Sequence, residues 1–281
     1  MYALVAVGFG LILHTTRTFH IAHGAVYTAA GFACYLFLQC LTTSLVLSIL
    51  AAVIVASVLG VMIECLVYHP LRTSRGDLRT SSHILMISSL GVYVVITNVL
   101  ALFFGSEAKL LRPGVEGTIS LAGVIVTYIQ LGQFVVGLLT IATLGGILSA
   151  TKYGRLLRAF ADDPTLIEIV GYRVRLLRVV VLALGSALAG IAGILHSLDV
   201  GIEPYTGMSI VLVASVAVIL GGRRSLLSPA LGAVILGLLQ SVITYVLSDK
   251  WSVAVVYAIL VAALVVKPRG LLDIERRIGE E

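Results

Sequence analysis

Residues 45–68 read LVLSILAAVIVASVLGVMIECLVY, an unbroken apolar run whose one ionisable carboxyl, Glu64, stands near its end. A helix needs about 20 such residues to cross the hydrocarbon core of a bilayer, and runs of about 10–14 are the usual limit for helices buried in soluble domains. The run is therefore read as a membrane-spanning helix. Inside lipid no water satisfies peptide groups, and an α-helix pairs them all within one segment.

Eight further apolar runs flank it: Met1–Leu13, Ile21–Leu38, Ile84–Phe104, Val124–Ala150, Leu176–Leu198, Met208–Leu220, Leu226–Leu247 and Val253–Val266. The first and seventh, at 13 residues each, are short for a full crossing, and irregular structure is tolerated there only if protein shields it. The first run has no basic residue ahead of it and no small-residue exit before His14, so it is expected to be a retained helix rather than a secretory signal. The pattern predicts an all-α fold: one polytopic transmembrane bundle of 8–9 helices making a single domain over residues 1–281.

Composition agrees. Of 281 residues, 59% are hydrophobic and 12% charged, with a mean hydropathy of +1.09. A soluble domain carries about 25% charged residues because its surface faces water. The net charge of +5 does not indicate nucleic acid, because the basic residues sit in short gaps between apolar runs rather than along one helix face. Cys34, Cys40 and Cys65 lie in or beside apolar runs without metal-ligand spacing and read as embedded thiols.

Those basic residues orient the chain. With the C-terminus cytoplasmic and sides alternating, 16 of the 19 Lys and Arg fall inside, leaving Lys109, Arg112 and Lys250 outside. The reverse arrangement opposes the positive-inside bias. The N-terminus is then outside, and the alternation requires Met208–Leu220 to cross.

The apolar runs hold few groups that could carry chemistry. Glu64 is near an inner end, Asp199 just past an outer one, and His23 and His196 are the imidazoles within runs. Ion-coupled transporters need costly intramembrane carboxylates or polar relays, so their scarcity argues against ion coupling. No Gly-Lys pair exists to form a Walker A loop, and there is no H-E-x-x-H or G-x-S-x-G, so neither a catalytic nor a metal site is expected and the chain is read as a non-enzyme. His23, Tyr93, Asn98, Gln240 and Thr244 are polar groups in apolar runs and are the candidates to line a translocation path, each set against the plainer role of interhelical hydrogen bonding. In the sixth run Gly185, Ala189 and Gly193 recur at four-residue spacing beside Ser186 and Gly190, a stripe that lets helix backbones approach closely.

The longest polar interval runs from Lys152 to Arg175, within a cytoplasmic loop reaching residue 178. A small helix is written inside it. Asp162 and Asp163 suit its N-cap, Pro164 its first turn and Gly171 a left-handed exit. Leu166, Ile167, Ile169 and Val170 give it an apolar face and Glu168 a polar one, with Arg155 and Arg158 before it and Arg173 and Arg175 after. Such a helix either lies at the bilayer interface or docks into a cytosolic partner, and the acids at its N-terminus favour docking.

Gly154-Arg155-Leu156-Leu157-Arg158-Ala159-Phe160-Ala161-Asp162-Asp163-Pro164, closing at Gly171, resembles the ATPase-docking loop of the branched-chain amino acid permease family of ABC importers. Other segments follow the family's order: Arg17 with Ile21-Ala22-His23-Gly24, Glu64 with His69-Pro70-Leu71-Arg72, Leu188–Gly193, Pro204 with Gly207, Ile219–Gly222, and Lys267–Leu271. The resemblance spans essentially the whole chain, and Glu64 to Arg72 favours the first of two related permease subtypes. His20 departs from the family pattern, which usually has Asn there. The resemblance implies that this chain binds no cofactor itself, ATP-Mg being held by two cytosolic ABC ATPase subunits docked on the loop. It also implies a second homologous permease subunit or a second copy, an extracytoplasmic solute-binding protein, and an inner-membrane location. The cargo it implies is a branched-chain amino acid, or a related small amino acid, urea or amide. The alternative is an ATP-independent channel or facilitator for a small neutral solute, which would not need the capped cytoplasmic helix.

Overall fold

The computed structural model describes residues 1–40, 44–73, 78–111, 117–121, 124–222, 225–246, 251, 254–255 and 257–258. The ninth apolar run falls almost wholly outside these residues, as do Arg112, Lys250 and the Lys267–Leu271 motif.

The chain is a helical bundle. In order it forms α1 (Tyr2–Thr16), α2 (Ala22–Cys40), α3 (Leu45–Ile63), a π-helical turn at Glu64–Tyr68, α4 (His69–Thr73) and α5 (Leu78–Phe104). After a short hairpin of β1 (Thr118–Leu121) and β2 (Val124–Thr127) come α6 (Tyr128–Ala150), α7 (Lys152–Asp162), α8 (Pro164–Ile169), α9 (Val174–Asp199), α10 (Thr206–Gly221) and α11 (Ser228–Val246). Among the described residues, five helical segments are long and apolar enough to cross a membrane: Leu45–Arg72, Ser82–Phe104, Tyr128–Ala150, Val174–Asp199 and Ser228–Val246.

The two short runs became α1 and α10, and both are interior. Residues Leu4–Ile12 of α1 are all buried, and α10 buries most of its length. A helix apolar on every side belongs in the middle of a bundle, and there other helices rather than lipid contact it. Around this centre α9 packs most extensively, against α3, α2 and α1, while α10 packs on α11 and α1. The exterior helices α5, α6 and α11 show long apolar side chains outward, among them Val95, Phe103, Phe134, Leu138, Leu238 and Val242.

The small-residue stripe of α9 meets a different helix at each level. A Cβ on Gly185 would stand 2.6 Å from Ile12 Cδ1 and 2.9 Å from the Gly8 carbonyl oxygen of α1. One on Gly190 would stand 2.6 Å from Ala56 Cβ of α3, and one on Gly193 2.9 Å from the Tyr27 carbonyl carbon of α2. Ala189 between them is fully buried. Without a hydrophobic force between helices in lipid, this close backbone approach is what packing has to draw on.

The fifth apolar run is divided. Val124–Thr127 pairs antiparallel with Thr118–Leu121, and the helix begins only at Tyr128. Thr127 starts it with a capping box: its side chain accepts from Gln130 N at 3.2 Å, and Gln130 Oε1 accepts from Thr127 N at 3.3 Å. Thr-x-x-Gln is a sequence-level start signal, and the β-branched run ahead of it suits a strand. At the same end of the bundle, Lys109 and Ile202 exchange backbone hydrogen bonds of 2.9 and 3.0 Å, joining the connection after α5 to the one after α9.

Candidate functional site

The interval 152–173 is two helices at a corner. Thr151 caps α7 by accepting from Gly154 N at 3.1 Å. Gly154, Leu157 and Phe160 face inward and are buried, while Arg155 and Ala159 face out. Arg158 reaches back to donate to the Leu148 carbonyl at the end of α6, fixing the corner between those helices. Asp162 closes α7 and is exposed.

Asp163 then caps α8, its Oδ1 accepting from Thr165 N at 2.8 Å and Leu166 N at 3.2 Å, with Pro164 in the first turn, where a missing N–H leaves no bond unmade. The exit is a Schellman motif. Tyr172 N donates to Ile167 O at 3.2 Å and Gly171 N to Glu168 O at 2.9 Å, with Gly171 at φ 95. One residue of α8, Ile167, is buried and holds it to the bundle. Leu166, Ile169 and Val170 stand 57%, 77% and 66% exposed, with Glu168 beside them. The result is a six-residue helix, bonded at both ends, that carries an apolar tip away from the core. Lys152–Asp162, which the sequence presented as approach to this helix, is a helix in its own right.

The candidate path residues separate into three environments. His23, in the first turn of α2, is fully buried between Phe9 and His20, with ring centroids 6.0 and 5.7 Å away. The Val5 carbonyl lies beside its ring, yet neither nitrogen is in hydrogen-bond geometry with any group. Tyr93 is buried on α5, its Oη donating to the Tyr205 carbonyl at 3.3 Å just ahead of α10. Asn98, one turn further on, is exposed, and its Nδ2 donates to Val94 O of its own helix at 2.7 Å. Gln240 is half-buried and Thr244 exposed on α11. Helix α5 packs chiefly on α2 and α11 on α10 and α1, so these side chains do not ring one chamber within a single chain.

The structure also assembles a polar cluster from segments quoted separately in the sequence. Arg72 Nη1 donates to Glu64 Oε1 at 2.5 Å across the π-helical turn, and its Nη2 donates to Thr18 Oγ1 at 3.0 Å. His20 Nδ1 and Tyr68 Oη are 2.6 Å apart, and Ser89 Oγ accepts from Ala22 N at 2.8 Å. Tyr68, Thr18, Ser89 and the position where the family pattern departs, His20, carry no motif individually, and only their convergence marks them.

A bundle of helices long and apolar enough to cross a membrane, with one doubly capped helix displayed from a polar loop, defines a polytopic membrane protein. The chain belongs to the family described as branched-chain amino acid transport system / permease component, whose profile matches residues 1–264. It is 30% identical, over 96% of its own length and 91% of the relative's, to the high-affinity branched-chain amino acid transport system permease protein BraD of Pseudomonas aeruginosa. It is 27% identical, with the same coverage, to the corresponding permease protein LivH of Salmonella typhimurium. To the probable branched-chain amino acid transport permease protein LivM of Methanocaldococcus jannaschii it is 31% identical over 39% of its length and 31% of that protein's. The whole-chain matches are therefore to the first of the two subtypes. The protein is a multi-pass inner-membrane permease of an ABC transport system, and its relatives are transport components rather than enzymes. Family membership implies ATPase, binding-protein and second-permease partners.

Proposed function

We propose that this chain is the path-forming subunit of an ATP-driven importer of leucine, isoleucine or valine. In this reading residues 1–281 form one permease domain of 8–9 crossings, with the N-terminus outside and the C-terminus cytoplasmic. Two sets of contacts support that sidedness. Lys109 and Ile202, from two connections assigned outside, pair with each other. Arg17 and Asp162, from two segments assigned inside, are joined by a 3.3 Å hydrogen bond.

The observation that carries the importer reading is the doubly capped α8 with its exposed Leu166, Ile169 and Val170. Side chains displayed this way on a rigid stub suit a groove in a cytosolic protein better than the flat bilayer interface. Two ATPase subunits would dock on residues 152–178 of a permease pair, through Arg155, Ala159, Asp162, Asp163, Glu168 and the tip, with Gly154, Pro164 and Gly171 setting the backbone and Arg158 the corner. Closure of the ATPases on ATP would push α7 and α8 and shift the pair between inward- and outward-open states. The solute would pass between this chain and a second permease, where Asn98, Gln240 and Thr244 on outward faces and the Tyr93 hydroxyl are the polar groups available. Gly185, Ala189, Gly190 and Gly193 serve packing, not the solute.

The test is uptake of labelled leucine, with urea in parallel, into proteoliposomes holding this chain with its partner permease and ATPases, binding protein outside and ATP inside. ATP-dependent leucine uptake that vanishes without the ATPases is expected. Urea uptake instead would keep the machine and change the cargo, and equal flux of either solute without ATP would replace the importer by a channel.

A further inference from the structure

The connection between α1 and α2 is five residues long, and three of them hold other parts of the molecule. Arg17 leaves α1 in the left-handed region at φ 54, alone in this among the described non-glycine residues. Its Nη2 donates to the carbonyl of Asp162, the last residue of α7, at 3.3 Å. A helix C-terminus favours a cation, so the contact ties this connection to the base of the knob. Thr18, fully buried, donates to Thr16 O at 3.2 Å and accepts from Arg72, which in turn holds Glu64 across the π-helical turn. His20 reaches Tyr68 at the other end of the same turn. Side chains of this one connection thus reach the base of the knob at Arg17 and, through Thr18 and His20, both ends of the one π-helical turn among the described residues, with the short backbone of residues 17–20 joining them.

That set is only half satisfied. Glu64 Oε2 and His20 Nε2 are buried without a hydrogen-bond partner, and the His23 ring next to His20 has the Val5 carbonyl beside it but no group in hydrogen-bond geometry. Each such group costs about 1–3 kcal/mol, so a cluster of them is a poor solution for one static arrangement and a reasonable one for a network that re-pairs. The π-helical turn supplies the moving part. It holds one residue more than an α-turn, and moving that extra residue rotates the helix beyond it by about 100°. The sequence offers a way to do this without unpairing the backbone, because α3, the turn and α4 form one continuous helical segment from Leu45 to Arg72.

We propose that residues 17–20 are a relay, in which displacement of α7 and α8 is passed through Arg17 and Thr18 to the π-helical turn, which changes register as Glu64 and His20 exchange partners. The inference rests on the docking role of α8. Spatial continuity alone does not establish coupling, and the plainer role is a static lock among α1, α2 and α3. The two differ in what they predict. Loss of a lock lowers stability and leaves transport per ATP unchanged, whereas loss of a relay leaves ATPases bound and hydrolysing but idle.

The experiment uses the complete complex in proteoliposomes and reads three quantities for each variant: ATPase retained on purification, ATP hydrolysed, and solute taken up per ATP. Thr18→Val keeps the shape and removes the hydroxyl, and Thr18→Ser restores it. Arg17→Asn keeps a residue that tolerates the left-handed cap and removes the guanidinium at an exposed site, so folding is not at risk. Thr18→Val and Arg17→Asn are expected to retain the ATPases while uptake per ATP falls about tenfold, a common size for a coupling free energy, and Thr18→Ser to stay near wild type. Unchanged uptake per ATP in Arg17→Asn, whatever Thr18→Val does to folding, overturns the relay. A complex carrying Leu166→Ala, Ile169→Ala and Val170→Ala that holds its ATPases as well as the wild type overturns the docking role instead, and the relay with it.

Discussion

Gly91 and Gly193 are the same residue type in apolar helices and are expected to respond oppositely to a single methyl group. Around Gly91 no atom lies within 4 Å of the position a Cβ would take, while at Gly193 that Cβ would be driven into the Tyr27 backbone, which cannot turn aside as a side chain can. Gly193→Ala should lower stability by about 1–3 kcal/mol through overpacking. Gly91→Ala should raise it by about 0.5–1 kcal/mol through helix propensity. Thermal unfolding of the isolated chain in detergent measures both, and a destabilised Gly91→Ala would contradict the open space at that position. The Glu64–Arg72 pair gives a second residue-scale expectation. Arg72→Ala strands a carboxylate that is 1% exposed and should cost about 3–5 kcal/mol, whereas the paired change Glu64→Leu with Arg72→Met should cost much less. Equal losses from the two would mean the pair is not what holds the π-helical turn.

At the scale of elements, α8 is too short to persist on propensity alone, so its ends decide whether it exists. Asp163→Ala removes both side-chain bonds to the first turn and should cost the helix about 1 kcal/mol. Gly171→Pro cannot take φ 95 and abolishes the N–H given to Glu168. Both Gly171→Pro and Asp163→Lys are expected to uncouple transport while the chain still inserts in the membrane, read as normal amounts in the membrane fraction with lost uptake; normal uptake by both would remove the docking role. The start and stop signals of α8 were legible because caps are local chemistry: Asp163, Pro164 and Gly171 act within one turn of where they sit. Helix α7 is hard to read from the sequence because its inward face, Gly154, Leu157 and Phe160, is spread among four charged residues and declares itself only against the bundle it packs on. The hairpin before α6 does not stand out in the sequence, although Thr127 and Gln130 announce the helix start, because its strand Val124–Thr127 is as apolar as the helix it runs into.

The whole molecule offers one direct measurement of sidedness. A membrane-impermeant maleimide should label Lys109→Cys on intact cells and Arg155→Cys only after permeabilisation; the reverse would invert every assignment of inner and outer loops. The three native cysteines first have to be replaced. Helices α5, α6 and α11 leave much of their apolar surface uncovered within one chain, as expected where lipid and a second permease complete the environment.

That the chain is a bundle of membrane helices, where most of those helices run and that a capped helix interrupts one polar loop can all be read from the order of residues alone. All of these follow from composition and from periodicities or caps shorter than a turn or two, which are properties of neighbouring residues. The central places of α1 and α10 and the contacts of the α9 stripe with three different helices were left to the tertiary structure. So was the convergence of Thr18, His20, Glu64, Tyr68, Arg72 and Ser89 on one π-helical turn. Those depend on which helix faces which, and a run that is apolar on every side carries no mark of the neighbour it will meet.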